Sequence, residues 1–372
     1  MKLVGYTRKT PSVVVGVLLA LFIAYAYFSD SFSSSSEAPS KSIQFLEDNA
    51  GGIGGDVEEK STESTQVMEK PATKAAAKTS KNLKMTKAEY LKLVKSSHDT
   101  SQDGAIQSFQ EERLSHLKGF CDKTGPHGTW KTLSPVKRHN LLKHLLVSDK
   151  YKFLYCYTPK IACANWKKIL KVLDEKAIHP NDGVLDHMRD VKFLSNYPEA
   201  EIEKRLRTYY KFTFVREPVS RLVSAFINKF REIKDFQLRF GVPIIKKYRA
   251  NPPESTRGDD VTFDEFARSL FDSSPERYNE HWMSVENLCQ PCVVNYDFFG
   301  AYENLEAEAN FLIRQVNASK RVAFPSPQSY YKPASLDKVR AMFLSLPEDH
   351  RQQLVKLFEN DFRMFNYPLP QS

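Results

Sequence analysis

The sequence predicts an α/β fold: a mostly parallel sheet flanked by helices. Three observations predict it. "FLYCY" (153–157) and "YKFTFV" (210–215) are short aromatic and β-rich runs bounded by polar residues, the pattern of strands. The stretch between them carries helical periodicity in "NWKKILKVL" and "EAEIEKRLRTYY". Each run ends in a charged turn, Pro159-Lys160 in one case and Arg216-Glu217-Pro218 in the other, and a helix start follows. Strands that alternate with helices form parallel sheets.

The remaining elements follow in order. "VVNYDFFGAY" (293–302) predicts a third strand and "NLEAEANFLIRQV" the helix after it. Thr262 and Glu265 have capping-box spacing before "FDEFARSLF", and Ser345 and Glu348 repeat it before "DHRQQLVKLF". Residues 85–117 carry only poorly specified helical signals, and no internal repeat is visible.

The chain has 372 residues with 41% hydrophobic and 12% aromatic content, which suits a real core rather than a disordered chain. A net charge of +9 points to an anionic partner. Residues 12–28, "SVVVGVLLALFIAYAYF", are apolar and uncharged, with Lys2, Arg8 and Lys9 before them and Asp30 after. Seventeen residues is the short end for a spanning helix, and the basic flank keeps the N-terminus cytosolic. The expectation is a type II signal-anchor, its short span matched to the thinner membranes of the early secretory pathway. The rival is a cleaved leader, with Ala24-Tyr25-Ala26 as an A-x-A site. Either reading puts the main domain in a lumen or outside the cell, which disfavours nucleic acid as the anionic partner.

The expected organisation is a cytoplasmic tail (1–11), the anchor (12–28), a flexible luminal stem (29–110) and a folded luminal domain (111–372). The stem is rich in Ser, Gly, Lys and Thr and too poor in large apolar residues to offset chain entropy. Asn317-Ala318-Ser319 is a glycosylation sequon, consistent with a luminal domain. Of five cysteines, Cys121, Cys156, Cys163, Cys289 and Cys292, at least one stays unpaired within the chain. "CQPC" (289–292) has no second CxxC and no His pair at ligand spacing, so a structural disulfide or buried thiols fit better than a metal.

The two charged turns raise the functional question. In an open α/β sheet, ligands sit beyond the carboxyl ends of strands. Lys160 and the N–H groups after it suit one phosphate; Arg216 and Ser224 suit another. Yet "YCYTPKIACANWKK" holds no glycine, and the P-loop spelling is absent. Taken singly, a Lys after a strand is a solvated loop residue and Arg-Glu-Pro is an ion pair with a helix start. Together, in order, they describe a site for one ligand with two separated anionic groups.

"TPKIACANWKKIL" resembles the 5′-phosphosulfate loop of the Golgi carbohydrate sulfotransferases, and "FVREPVSRLVSAFINKF" resembles their 3′-phosphate segment. "GDDVTFDEFARSL", "YNEHWMSVENLCQPCVVNYDFFGAYENLEAEANF" and "DFRMFNYPLP" extend the match over most of 121–370. The pattern is most similar to the chondroitin 4-O-sulfotransferase group, within the set that includes dermatan and HNK-1 sulfotransferases. The resemblance implies a P-loop-like sulfotransferase fold and the donor 3′-phosphoadenosine 5′-phosphosulfate (PAPS). It implies that Pro159, Lys160, Ile161, Ala162, Cys163, Ala164 and Asn165 wrap the 5′-phosphosulfate. It places the 3′-phosphate on Arg216, Glu217, Pro218, Val219, Ser220, Arg221, Leu222, Val223 and Ser224, with Arg216 and Ser224 as the direct contacts. Ala164 stands where relatives often carry Thr, which removes a hydroxyl from the cradle. Asn165 either contacts sulfate or caps the helix, and Trp166 reads as core rather than as an adenine stack.

Sulfuryl transfer needs in-line attack, stabilisation of the leaving phosphate and a base for the acceptor hydroxyl. Lys160 suits the leaving group. His187, in "GVLDHMRDV" between the two donor segments, is the expected base, with His281 in "YNEHWMS" as the alternative. The chemistry requires no metal. The expected acceptor is an acidic glycosaminoglycan, chondroitin or dermatan at O4 of GalNAc, and the expected location is the Golgi membrane. Lys229, Arg231, Lys246, Lys247 and Arg249 are candidates for its charges, against the plainer reading of a solvated basic face. Three rival functions remain: a sulfotransferase for another glycan (HNK-1, or GalNAc-4-sulfate on N-glycans), a luminal kinase, disfavoured by the absent P-loop glycines, and a glycan-binding protein with a decayed donor site.

Overall fold

The computed structural model describes residues 100–325 and 334–370. The apolar run at 12–28 and the expected stem up to residue 99 lie outside the described residues. Among the described residues, no helix is long and apolar enough to cross a membrane.

The centre is a four-stranded sheet in the order β1 (Leu145–Ser148), β2 (Phe153–Cys156), β3 (Tyr210–Val215), β4 (Phe298–Ala301). β1 runs antiparallel to β2, while β2, β3 and β4 are parallel, with Tyr155 opposite Phe212 and Phe214 opposite Gly300. All four strands are buried on both faces, which is why they read as continuous apolar runs. Leu145, Val147, Leu154, Cys156, Val215 and Phe299 join the core on one face. Leu146, Phe153, Tyr155, Phe212, Phe214 and Phe298 join the core on the other, around Trp166.

Helices flank this sheet. α1 (Asp103–Thr124) and α2 (Pro135–His144) precede it, α3 (Cys163–Leu173) and α4 (Glu199–Thr208) join β2 to β3, and α5 (Pro218–Ile227) follows β3. Then come α6 (Val242–Tyr248), α7 (Phe263–Phe271) and α8 (Val285–Cys289) before β4. α9 (Leu305–Gln315), α10 (Leu336–Leu344), α11 (Glu348–Leu357) and α12 (Glu359–Met364) complete the described fold.

Both sheet edges are covered, which removes the pairing hazard of open edges. On the β4 side, the Gln110 side chain donates to the Phe299 carbonyl and accepts its N–H, both at 3.0 Å. α1 therefore crosses the boundary expected at residue 110 and seals the sheet. On the β1 side, Lys192 and Phe193 return along the strand: Val147 donates to the Lys192 carbonyl at 2.9 Å.

Several local expectations are corrected. β1 was not expected, since "LLKHLLVSD" (141–149) continues the apolar pattern of α2. The strand expected at 293–302 is confined to Phe298–Ala301; Pro291–Val294 forms a helical turn because Pro291 supplies an N1 residue that needs no N–H. The Thr262–Glu265 capping box is present, but Ser345 does not cap α11: its hydroxyl donates back to the Met342 carbonyl at 2.7 Å, and Pro347 is the N-cap. The CxxC cysteines pair with distant partners, Cys121 with Cys292 and Cys156 with Cys289, leaving Cys163 as a free thiol. Trp166 is core, 2% exposed among Tyr155, Phe212, Phe214 and Phe324.

Candidate active site

Because β2, β3 and β4 are parallel, the turns after Cys156, Val215 and Ala301 emerge on one edge of the sheet. The turn after β2 answers how a cradle forms without glycine. Lys160 (φ 72°) and Ala162 (φ 53°) themselves adopt the left-handed conformation, and Ala162 is the N-cap of α3. That conformation costs L-residues roughly 1–2 kcal/mol each, and strain of this kind gathers at functional sites. No side chain caps α3, so the open N-terminus offers N–H groups and the positive end of the helix dipole to an anion.

The turn after β3 is built differently. Glu217 caps α5 with its own carboxylate, accepting from Val219 N at 3.0 Å and Ser220 N at 2.6 Å. This is a correction for the segment around it: Glu217 serves the helix, not an anion. Val219, Leu222 and Val223 are buried in the core cluster, and Ser224 is fully enclosed. Arg216 reaches the first loop, donating to the Lys160 carbonyl at 3.3 Å while its guanidinium lies 4.3 Å from the Tyr302 ring.

Arg221 is a buried strut. Its guanidinium donates to the carbonyls of Pro159 (3.5 Å), His281 (3.4 Å) and Met283, fastening the donor loop to the segment before α8. Burial lowers its pKa to about 10, against the opposing charge of Asp361. Ile161 is likewise core, 0% exposed. Asn165 lies in the first turn of α3, donating from its backbone N–H to the Ala162 carbonyl at 3.0 Å, and is not the cap.

The charges converge on Lys160. Burial, then Lys229, then Arg216 among the cations, push it down to about 8. Lys229 is itself lowered by burial, eased by Glu280 and Glu232. It belongs to a π-helical turn (Asn228–Glu232), and its ammonium sits 4.3 Å from the Phe236 ring. Lys167, 4% exposed, packs 4.0 Å from the Tyr157 ring, and burial lowers it too. Like charges held together in a desolvated cleft are stabilised by a multivalent anion, so these residues fit a donor with phosphate and sulfate groups.

Both candidate bases share this field. His187 keeps much of its side chain exposed, on the irregular segment between α3 and the return strand; partial desolvation and Lys167 lower its pKa, and Glu280 opposes them. His281 is half-buried, with Nδ1 2.7 Å from Asn279 Oδ1 and its ring edge-on to Phe236. Burial, with Lys229, pushes His281 down to about 3. The segment carrying His187 is preorganised: Asp186 Oδ1 accepts from Met188 N and Arg189 N, and Asp190 pairs with Lys171 at 2.9 Å.

Of the basic residues expected to meet an acceptor, three are already engaged. Arg249 grips Glu265 and Asp260, Arg231 donates to the Asp259 and Val261 carbonyls, and Lys247 pairs with Asp272. Lys246 is exposed on α6, and Lys229 stands beside Lys160. Sequence reasoning missed Glu280, Tyr157, His144 and Lys167, whose polar atoms meet only through tertiary packing. Asn317 is exposed and left-handed (φ 57°), ending α9 with its N–H to the Arg314 carbonyl and that of Ala318 to Ile313. It therefore has a structural role in addition to being an accessible sequon residue.

Two cation-bearing turns at the carboxyl edge of a parallel sheet, tied together by Arg216 and Arg221, suit an enzyme that works with an anionic donor. Residues 143–368 match the sulfotransferase family, and the chain belongs to it, in its carbohydrate sulfotransferase branch. It is 45% identical over 281 residues to carbohydrate sulfotransferase 14 of Danio rerio, covering 74% of this chain and 76% of that one. It is 46% identical over 273 residues to carbohydrate sulfotransferase 14 of Homo sapiens, 72% of each chain. Carbohydrate sulfotransferase 11 of Rattus norvegicus is 38% identical over 245 residues, 62% of this chain and 69% of that one. No solved structure matches the chain. The family implies PAPS as the donor.

Proposed function

We propose that this enzyme transfers the sulfuryl group of PAPS to O4 of GalNAc in chondroitin or dermatan, as a type II protein of the Golgi membrane with its catalytic domain luminal. The observation that carries the reading is the joining of the two turns by Arg216 and the Lys160 carbonyl. The bond joins the turns after two adjacent strands, each carrying a cation, which suits a donor with separated anionic groups. Lys160 and the α3 N-terminus hold the phosphosulfate end; Arg216 holds the 3′-phosphate, with Ser224 behind it. In the transfer, the acceptor oxygen bonds to sulfur as the bond from sulfur to the 5′-phosphate oxygen breaks. Lys160 stabilises the charge that builds on that oxygen.

His187 takes the hydroxyl proton. It is exposed, so a polymeric acceptor can reach it, whereas burial and Lys229 disfavour a proton on His281. Lys229 and Lys246 are the basic residues left to meet an acidic glycan.

The test is transfer from PAPS to desulfated chondroitin, dermatan, heparosan and GalNAc-terminated N-glycans, with the sulfated hydroxyl mapped. The expected product is 4-O-sulfo-GalNAc in chondroitin or dermatan. Transfer only to heparosan or an N-glycan refutes the acceptor, and a protease-accessible C-terminus in sealed Golgi vesicles refutes the topology.

A further inference from the structure

Arg216 is buried, at 5% exposure, yet among the described residues it has no carboxylate partner, whereas Arg113, Arg205, Arg249 and Arg314 each hold one. A buried charge is costly until an opposite charge meets it. A guanidinium offers two flat faces and a rim of N–H donors. Part of the rim is used here: Nη1 donates to the Lys160 carbonyl at 3.3 Å. One face is used as well. The guanidinium carbon lies over the Tyr302 ring, 4.3 Å from its centre, within the range of a cation–π contact. The ring is itself held in place. Tyr302 opens the short helical turn (Tyr302–Asn304) that joins β4 to α9, and its carbonyl accepts from Leu305 N. The preceding residue, Ala301, donates its N–H to Glu308 Oε2 at 2.8 Å, and Glu308, 2% exposed, is paired with Arg113 of α1. The Tyr302 side chain packs against the core that surrounds Trp166.

We propose that Tyr302 is a positioning residue for the donor: stacked on Arg216, it holds the guanidinium so that the remaining N–H groups of the rim meet the 3′-phosphate. This rests on the assignment of Arg216 to that phosphate. Arginine has a long, rotamer-rich side chain, and ordering such a chain at the moment of binding weakens affinity. A guanidinium clamped beforehand avoids that cost. The choice of clamp matters too. A carboxylate would occupy the N–H rim that a phosphate needs for paired hydrogen bonds, and its charge would repel the phosphate. An aromatic ring takes a face instead and leaves the rim open. The third parallel strand thereby joins the other two in building the donor site: the turn after β2 supplies Lys160, the turn after β3 supplies Arg216, and the turn after β4 supplies the ring that steadies Arg216.

The experiment uses the full-length chain purified in detergent and two ligands, adenosine 3′,5′-bisphosphate and adenosine 5′-phosphate, which lacks the 3′ group. Both are titrated calorimetrically, the second by competition against the first. Arg216→Ala should weaken the bisphosphate at least about tenfold and leave the 5′-phosphate within about twofold of wild type. Tyr302→Leu should weaken the bisphosphate about three- to tenfold, the range of a desolvated cation–π contact, with the 5′-phosphate again within about twofold. Tyr302→Phe keeps the ring and should stay within about twofold of wild type for both ligands. Added to Arg216→Ala, Tyr302→Leu should change bisphosphate affinity by no more than about twofold further, because the group it steadies is already gone. Equal losses of the two ligands in Tyr302→Leu, as direct contact with the nucleoside or a merely structural role would give, overturn this inference alone. An unchanged bisphosphate affinity in Tyr302→Leu does the same. An Arg216→Ala that weakens both ligands alike overturns the assignment of Arg216 and this inference with it. Should Tyr302→Leu not fold, Tyr302→Met carries the decision by the same readout.

Discussion

Lys160→Met separates what the site does for the donor from what it costs the fold. Burial, together with Lys229 and Arg216, lowers this ammonium from 10.5 to about 8. One pKa unit is about 1.4 kcal/mol, so holding Lys160 charged at neutral pH costs the ligand-free chain about 3 kcal/mol at most. The sign follows from the folded pKa lying below the unfolded one. The penalty is full below about pH 8, and stability recovers as pH rises toward 10.5, where the unfolded chain also loses the proton. Methionine keeps the stem without the charge. Lys160→Met should therefore be about 1–3 kcal/mol more stable than wild type at pH 7, and the difference should close toward pH 10.5. Its turnover should fall on the order of 10²–10³, the loss expected for a preorganised electrostatic group. Thermal unfolding at pH 7 and pH 10, with sulfate transfer at saturating PAPS, reads both quantities. A variant destabilised at pH 7, or one that keeps turnover within about threefold, refutes the reasoning.

Other perturbations follow from the same contacts. Arg221→Leu leaves the Pro159, His281 and Met283 carbonyls without their donor and Asp361 without a nearby cation; it should cost about 3–5 kcal/mol by denaturant titration, with bisphosphate binding lost in parallel. Ala162→Gly should be tolerated at its left-handed φ of 53°, whereas Ala162→Val should lower the melting temperature and donor affinity; equal behaviour of the two would show that the turn is not strained. Paired Cys121→Ser and Cys292→Ser substitutions should cost about 2–5 kcal/mol, and a melting temperature unchanged from wild type would show that the bond does not stabilise the chain.

The parallel strands and the donor turns were legible because their signals are local. A strand buried on both faces is an apolar run, and a strand followed by a charged turn and a helix reads as such along the chain. β1 was missed because an antiparallel edge strand after a helix, without a break in apolar pattern, has no local punctuation. Pro291 ended the expected third strand early through its preference for a helix start. Ser345 matched the capping spacing, but its hydroxyl found a carbonyl behind it instead. Gln110 reads as a stem residue in sequence, and only its pairing with Phe299 shows that it completes the sheet. The basic run after α5 reads in sequence either as an acceptor-binding stretch or as a solvated basic face; the structure breaks it with π-helical turns and engages Arg231, Lys247 and Arg249 in ion pairs and with carbonyls of the chain. Glu280 was invisible for the same reason. Its hydrogen-bond partners, Tyr157 and His144, stand 123 and 136 residues away.

The central claim is that the turns after β2 and β3 form one site for a donor with two anionic ends. Calorimetric titration of the full-length chain with adenosine 3′,5′-bisphosphate tests it most directly. One bisphosphate should bind per chain, with affinity reduced at least about tenfold in Arg216→Ala, the loss expected for a charge-assisted bond. Absence of binding to the wild type, or equal affinity in wild type and Arg216→Ala, would contradict it.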